Sequence, residues 1–141
     1  MMTLLIIHFA VTWALVGLIW TVQVVHYPLF REVGRDGFVG YHQRHMSLMF
    51  WVVGPLMLVE LGTAAGLFYL GERSLLFVIS LVALVLNWGS TALVQVPLHQ
   101  KLTGGHDARM IEHLVRSNGW RTAGWTVRGL CLATLLLPRL T

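Results

Sequence analysis

Apolar residues in this chain gather in four long runs separated by short polar segments, without the strict amphipathic alternation of a soluble fold. The first run, Thr3 to Val25, contains His8, Thr12, Thr21 and Gln23 but no formal charge. Its length suits a bilayer's hydrocarbon core, which about 20 helical residues cross. The second run covers about Leu48 to Leu70, holds Glu60, and is expected to bend or loosen at Gly54-Pro55, where proline removes a backbone donor. The third covers about Leu75 to Val96, and the fourth, about Gly119 to Leu137, carries Arg128 and is closed by Pro138. The pattern predicts an all-α fold, an integral membrane four-helix bundle forming a single domain over 1–141, with spans at about 3–25, 48–70, 75–96 and 119–137. No Lys or Arg precedes the first run and no small-residue cleavage site follows it, so it is expected to remain in the mature protein as a span.

The long connections read as interfacial helical segments. Ala108 to Arg116 places Met110, Ile111, Leu114 and Val115 on one face and Arg109, Glu112, His113 and Arg116 on the other, with Asp107 as N-cap. Phe38, Tyr41, His45 and Leu48 form a similar stripe, with His42 and Arg44 beside it. The halves of the chain share an order of elements: aligning Pro28 with Pro97 sets Val24 to Phe30 beside Leu93 to His99. Two parallel two-helix repeats would be related by an axis along the membrane normal, with any shared site near it.

Composition agrees. Of 141 residues 56% are hydrophobic and 11% charged, and the mean hydropathy is +0.70, where soluble domains carry about 25% charged residues. A soluble fold is excluded. The single cysteine, Cys131, excludes an internal disulfide and any cysteine-based zinc or iron-sulfur site. A net charge of +4 does not point to nucleic acid, because its cations sit in connections between apolar runs. Arg31, Arg35, Arg44, Lys101, Arg109, Arg116 and Arg121 lie on one side, against Arg73 and Arg139 on the other. The positive-inside rule then puts both long connections in the cytoplasm and both termini outside, as in a bacterial inner membrane.

Charges within hydrocarbon cost at least about 2.5–3.5 kcal/mol and mark candidate sites. Counted inward at 1.5 Å per residue, Glu60, Arg128 and Asn87 reach a common depth, roughly 15–18 Å from the cytoplasmic ends of their spans. A Glu60 to Arg128 pair with Asn87 bonded to it is expected, extended by Thr21, Thr63, Ser90 and Thr91. Such a pair either fixes helix packing or lines a pocket, and both readings stand at this level. Arg121, Trp125 and Arg128 fall at i, i+4 and i+7, a positive stripe leading inward that an anionic ligand would meet. Of seven histidines, His26, His42, His45, His99, His106 and His113 fall on the cytoplasmic side. His42 and His45, at i and i+3, are candidate ligands for a metal or haem, with His26 or His99 completing the site. Gly62 and Gly66 form a small-xxx-small face for close packing. Walker, dinucleotide, HExxH and nucleophile-elbow motifs are lacking, which leaves ATP-driven transport and classical hydrolysis unsupported.

Trp88, Ser90-Thr91, Val96-Pro97-Leu98-His99, Leu102, Gly104, Leu114-Val115 and Asn118-Gly119-Trp120-Arg121-Thr122, with Trp125 and Arg128, resemble small bacterial four-helix membrane proteins near the anthrone-oxygenase-like domain-of-unknown-function group. His8, Trp13, Gly17, Trp20 and Tyr27-Pro28-Leu29-Phe30 resemble the opening of HemJ-type protoporphyrinogen oxidases, which implies His8 as a haem ligand. That family's third-span lysine has no counterpart here, since the only lysine is Lys101, so this second likeness is architectural.

The resulting expectation is a polar pocket at the membrane midplane that binds a hydrophobic anionic ligand or a haem-like cofactor, for oxidoreductase or oxygenase chemistry. In it Glu60 handles protons, Arg128 and Arg121 anchor the anion, Asn87, Trp125 and Thr91 position the ligand, and His42, His45, His26, His99 and His8 are metal or haem candidates. The alternatives are a non-catalytic subunit of a larger membrane complex and a small transporter or metal-handling protein. The expected partners are the lipid bilayer and a hydrophobic small molecule, with a homo-oligomer or larger complex also open.

Overall fold

The computed structural model describes residues 1–140, and among them every regular element is helical. Helix α1 (Met2–Leu29) and helix α3 (Leu75–Leu102) each contain one π-helical turn; α2 (Arg35–Tyr69) and α4 (Ala108–Leu136) are continuous. A 3-10 turn, Leu137–Arg139, follows α4. The helices α1, α2 and α3 are long and apolar enough to cross a membrane. The fourth expected span lies within α4, which is not among these three and carries Arg121 and Arg128.

The two π turns fall at matching places in the two halves of the chain. They occupy Val22–His26 and Thr91–Gln95, the same register relative to Pro28 and Pro97. Proline has no N–H and its ring clashes with the carbonyl four residues back, so the helix widens just before it. The amide of Tyr27 reaches back to the Val22 carbonyl, and that of Val96 to the Thr91 carbonyl, five residues in each case. Pro55, by contrast, lies inside α2, whose helical assignment continues through it.

The connecting segments are not separate interfacial helices: residues 35–47 begin α2 and residues 108–118 begin α4. Asp107 caps α4 as expected, its carboxylate accepting from the Arg109 and Met110 amides. In the first connection the inward residues are Phe38 and His42, while Tyr41 and Leu48 are exposed, so the expected stripe is rotated by about one residue.

Helix α4 packs along both α1 and α3, and α1 packs along α2. Close approach uses Gly66, Gly124 and Gly129, where an added Cβ would meet Leu4, Asn87 and Trp13 respectively; Gly62 has open space. The helices are apolar on their outer faces and enclose polar groups within an otherwise apolar interior. Thr12, His42, Glu60, Ser80, Asn87 and His99 are buried, whereas Trp20, Trp51, Leu58, Val85 and Leu93 are exposed. Large apolar side chains on the outside and buried polar groups depart from the soluble pattern, and the polar groups gather in two internal clusters.

Candidate functional site

The first cluster lies toward the Leu70–Ser74 turn and draws on all four helices. Glu60 and Arg128 are completely buried, and Arg128 Nη2 donates to Glu60 Oε1 at 2.7 Å. The same oxygen accepts from Thr12 Oγ1 at 2.9 Å, and Arg128 Nη1 donates to the Ser80 carbonyl. His8 Nδ1 meets Thr63 Oγ1 at 2.8 Å, with Arg128 Nη2 3.5 Å from His8 Nε2. The Thr63 hydroxyl donates to main-chain carbonyls of its own helix, so His8 donates from Nδ1 and presents Nε2 to the guanidinium.

This geometry brings Glu60 and Arg128 together as expected and adds His8 and Thr12. Asn87 does not join them: its amide packs where a Cβ on Gly124 would lie 2.6 Å away. Thr21 and Thr91 instead bond the carbonyls of Gly17 and Asn87. His8, expected at the outer end and alone, is in the cluster because α1 and α2 run antiparallel. Counting inward from Met1 and from Leu70 would have paired it with Thr63.

The second cluster lies at the arginine-rich end, next to the two π turns. His42 Nε2 and His99 Nδ1 are 2.9 Å apart, and His99 Nε2 is 3.0 Å from the Tyr27 hydroxyl. The Arg121 guanidinium is near enough to that hydroxyl to interact with it electrostatically. Arg121 Nη1 also donates to Asn118 Oδ1, and Asn118 Nδ2 donates to Gln23 Oε1, both at 2.8 Å. Gln23 and Gln95, one from each π turn, tie α1 and α3 to the same stretch of α4 through the Val115 carbonyl and Ser117 Oγ. Tyr27, Gln23, Gln95 and Asn118 were not singled out from sequence. For three of them a signal was present, since Tyr27 precedes a proline and Gln23 and Gln95 fall within apolar runs; Asn118, in a polar stretch, carried none.

A cavity of about 610 Å³ adjoins this second cluster. Its walls are apolar, with Leu15, Ile19, Met49, Met57, Trp88 and Trp125 among them, and its polar end is made by Tyr27, His45, Gln95, His99 and Arg121. Exposed Trp51 and Leu58 of α2 and Ala92 and Val96 of α3 stand on its rim, so it opens sideways between those helices. Of the expected ligand contacts, Arg121, Trp125 and Thr91 line it, whereas Glu60, Arg128 and Asn87 do not. The pocket therefore lies nearer the arginine-rich end than expected, and the Glu60 to Arg128 pair is packed in protein beside it.

The histidines are close without forming a metal-holding group: among the described residues no three His, Cys, Asp or Glu side chains are arranged for one ion. His99 has both ring nitrogens engaged. His42 sits behind His99, stacked on Phe38, and His26 lies against the outer side of His45 with ring centroids 5.7 Å apart. His45 is the cavity-facing imidazole without a hydrogen bond to protein. Comparison with protein families, curated proteins and solved structures finds no match.

The electrostatics of α4 distinguish its two inner arginines. Arg128 has Glu60. Arg121 is only 7% exposed and among the described residues no carboxylate pairs with it, whereas an Nε without a partner is common to both arginines. Its neighbours Tyr27 and Asn118 are uncharged hydrogen-bonding groups. Guanidinium stays protonated in proteins, and a buried charge without a counter-charge costs several kcal/mol.

Proposed function

We propose that this chain is an integral membrane protein that binds a lipophilic anion in the cavity between α2 and α3, with Arg121 as the counter-charge. The observation that carries this reading is the buried, unpaired Arg121 guanidinium at the polar end of an otherwise apolar cavity. An anionic head placed there would accept from Arg121 and from the Tyr27 hydroxyl, and an apolar body would lie against Trp88, Trp125 and the methionines. The sideways opening suits a molecule that arrives through lipid. With the arginine-rich end in the cytoplasm, as the positive-inside rule requires, the head keeps the depth it has in the inner leaflet of a bacterial membrane.

A haem is one such lipophilic anion. His45, facing the cavity with its ring uncommitted, is the residue that would supply an imidazole to the iron, and the redox reading of this protein depends on that single ligand. The Glu60 to Arg128 pair takes the architectural role instead: it is fully buried, lies outside the cavity and joins all four helices.

The test uses the full chain purified in detergent, titrated with a dansyl-labelled undecanoate while tryptophan emission is followed, since Trp51, Trp88 and Trp125 surround the cavity. Saturable one-to-one binding is expected, weakened about tenfold to a hundredfold by Arg121→Gln, in line with loss of a charged hydrogen bond. Equal affinity in the variant, or equal affinity for the uncharged dansyl-undecanamide, would overturn the reading. An absorption spectrum and mass spectrometry of co-purifying small molecules then separate haem from other anions.

A further inference from the structure

The outer face of α4 carries a second, separate anionic preference. Arg109, His113, Arg116 and Trp120 follow at i, i+4, i+7 and i+11 along one exposed stripe and line a shallow concavity. The acid within that stripe, Glu112, is already neutralised by an ion pair with Arg31. Arg109 and Arg116 form no ion pair with any described residue, so the face presents two uncompensated cations to whatever covers it. Trp120, one turn further along the helix toward its apolar part, is 83% exposed.

The order along the stripe, from cation to amphipathic aromatic ring to apolar helix, reproduces the layers of a leaflet from phosphate to acyl carbon. Trp120 adjoins Arg121, so the Trp120 end of the stripe lies at the depth of the head end of the cavity, about 100° round the same helix. A second protein would have to cover Trp120 with an apolar surface and supply two acids. An anionic phospholipid supplies phosphate and acyl chain together. We infer that the Arg109, Arg116 and Trp120 face of α4 is a binding site for the headgroup of an anionic phospholipid. The inference rests on reading the chain as membrane-embedded but not on what fills the cavity.

The experiment is native mass spectrometry of the full chain released from detergent micelles containing equal amounts of phosphatidylglycerol and phosphatidylcholine with identical acyl chains. The expected result is retention of phosphatidylglycerol in preference to phosphatidylcholine by about thirtyfold, the scale set by two arginines near a lipid surface. Arg109→Gln with Arg116→Gln abolishes that preference. Arg35→Gln with Arg44→Gln, two exposed arginines of α2 at the same end, leaves it in place. Equal retention of both lipids by the unaltered chain overturns the site, as does an equal loss in the α2 pair, which would mark a general charge effect. Loss in Arg121→Gln but not in the Arg109 and Arg116 pair would assign the lipid to the cavity and also overturn it. A chain recovered in the soluble fraction removes the membrane reading and this site with it, whereas a membrane-bound chain without the preference removes this site alone.

Discussion

Arg121 and Arg128 stand seven residues apart on α4, both buried, yet Arg128 is 2.7 Å from a carboxylate and Arg121 has none. The helix thus carries one charge whose partner is built into the fold and one whose partner the fold leaves out. The first binds the helices together. The second faces the cavity, which is why the functional reading attaches to Arg121.

The ion pair makes an asymmetric prediction. Glu60→Leu leaves a buried guanidinium that cannot become neutral, and its loss of stability should fall at about 3–5 kcal/mol. Arg128→Met leaves a carboxyl group that can, and should cost less. Glu60→Leu combined with Arg128→Met should be more stable than Glu60→Leu alone. Thermal unfolding in one detergent, followed by circular dichroism, reads all three, and a double variant as unstable as the sum of the singles would remove the pairing.

Close packing at Gly124 predicts a rescue. A Cβ there would lie 2.6 Å from Asn87 Oδ1, so Gly124→Ala should destabilise the protein by about 1–3 kcal/mol. Asn87→Ala in the same chain should restore most of that loss. Gly62→Ala, where nothing lies within 4 Å, should be neutral. Equal melting temperatures for the Gly124 and Gly62 variants would show that the Asn87 contact imposes no constraint.

The second cluster is probed at Tyr27. Tyr27→Phe removes the hydroxyl that meets His99 Nε2 at 3.0 Å and leaves a buried nitrogen unsatisfied, at a cost of about 1–3 kcal/mol. The dansyl-undecanoate should still bind, less weakened than in Arg121→Gln, because the charge remains. If Tyr27→Phe abolishes binding while Arg121→Gln does not, the head sits on the phenol and the assignment to Arg121 fails.

Acid sensitivity should come from the Leu70–Ser74 turn. Burial pushes the Glu72 carboxyl up, but hydrogen bonds from Arg139 and Ser74 outweigh it and hold the group at about 2, against an ordinary value of 4.5. Because the folded value is depressed, this stabilisation is fully present above about 4.5 and disappears as the pH falls toward 2. The difference in melting temperature between the unaltered chain and Glu72→Gln should therefore be constant near neutrality and shrink between those limits. A difference that grows on acidification would reverse the sign and refute the assignment.

Much of this architecture was legible in one dimension. Hydropathic runs located the helices but not the starts of α2 and α4, Asp107 announced its cap, and Pro28 and Pro97 stood at matching places in the two halves. The cost of a charge among apolar residues demanded that Glu60 and Arg128 meet. These features depend on composition, local hydrogen bonding and depth along a helix, all set by position in the chain. Rotation about the helix axis is different. Each π turn adds a residue, and one residue is about 100° of rotation, so a uniform 3.6-residue period misdirects side chains beyond Val22 and Thr91. Which faces meet was decided only when α4 packed along α1 and α3. That packing set Asn87 against Gly124 and away from the ion pair, brought Tyr27, His99 and His42 into one chain, and left Arg121 beside a cavity without a carboxylate to meet it.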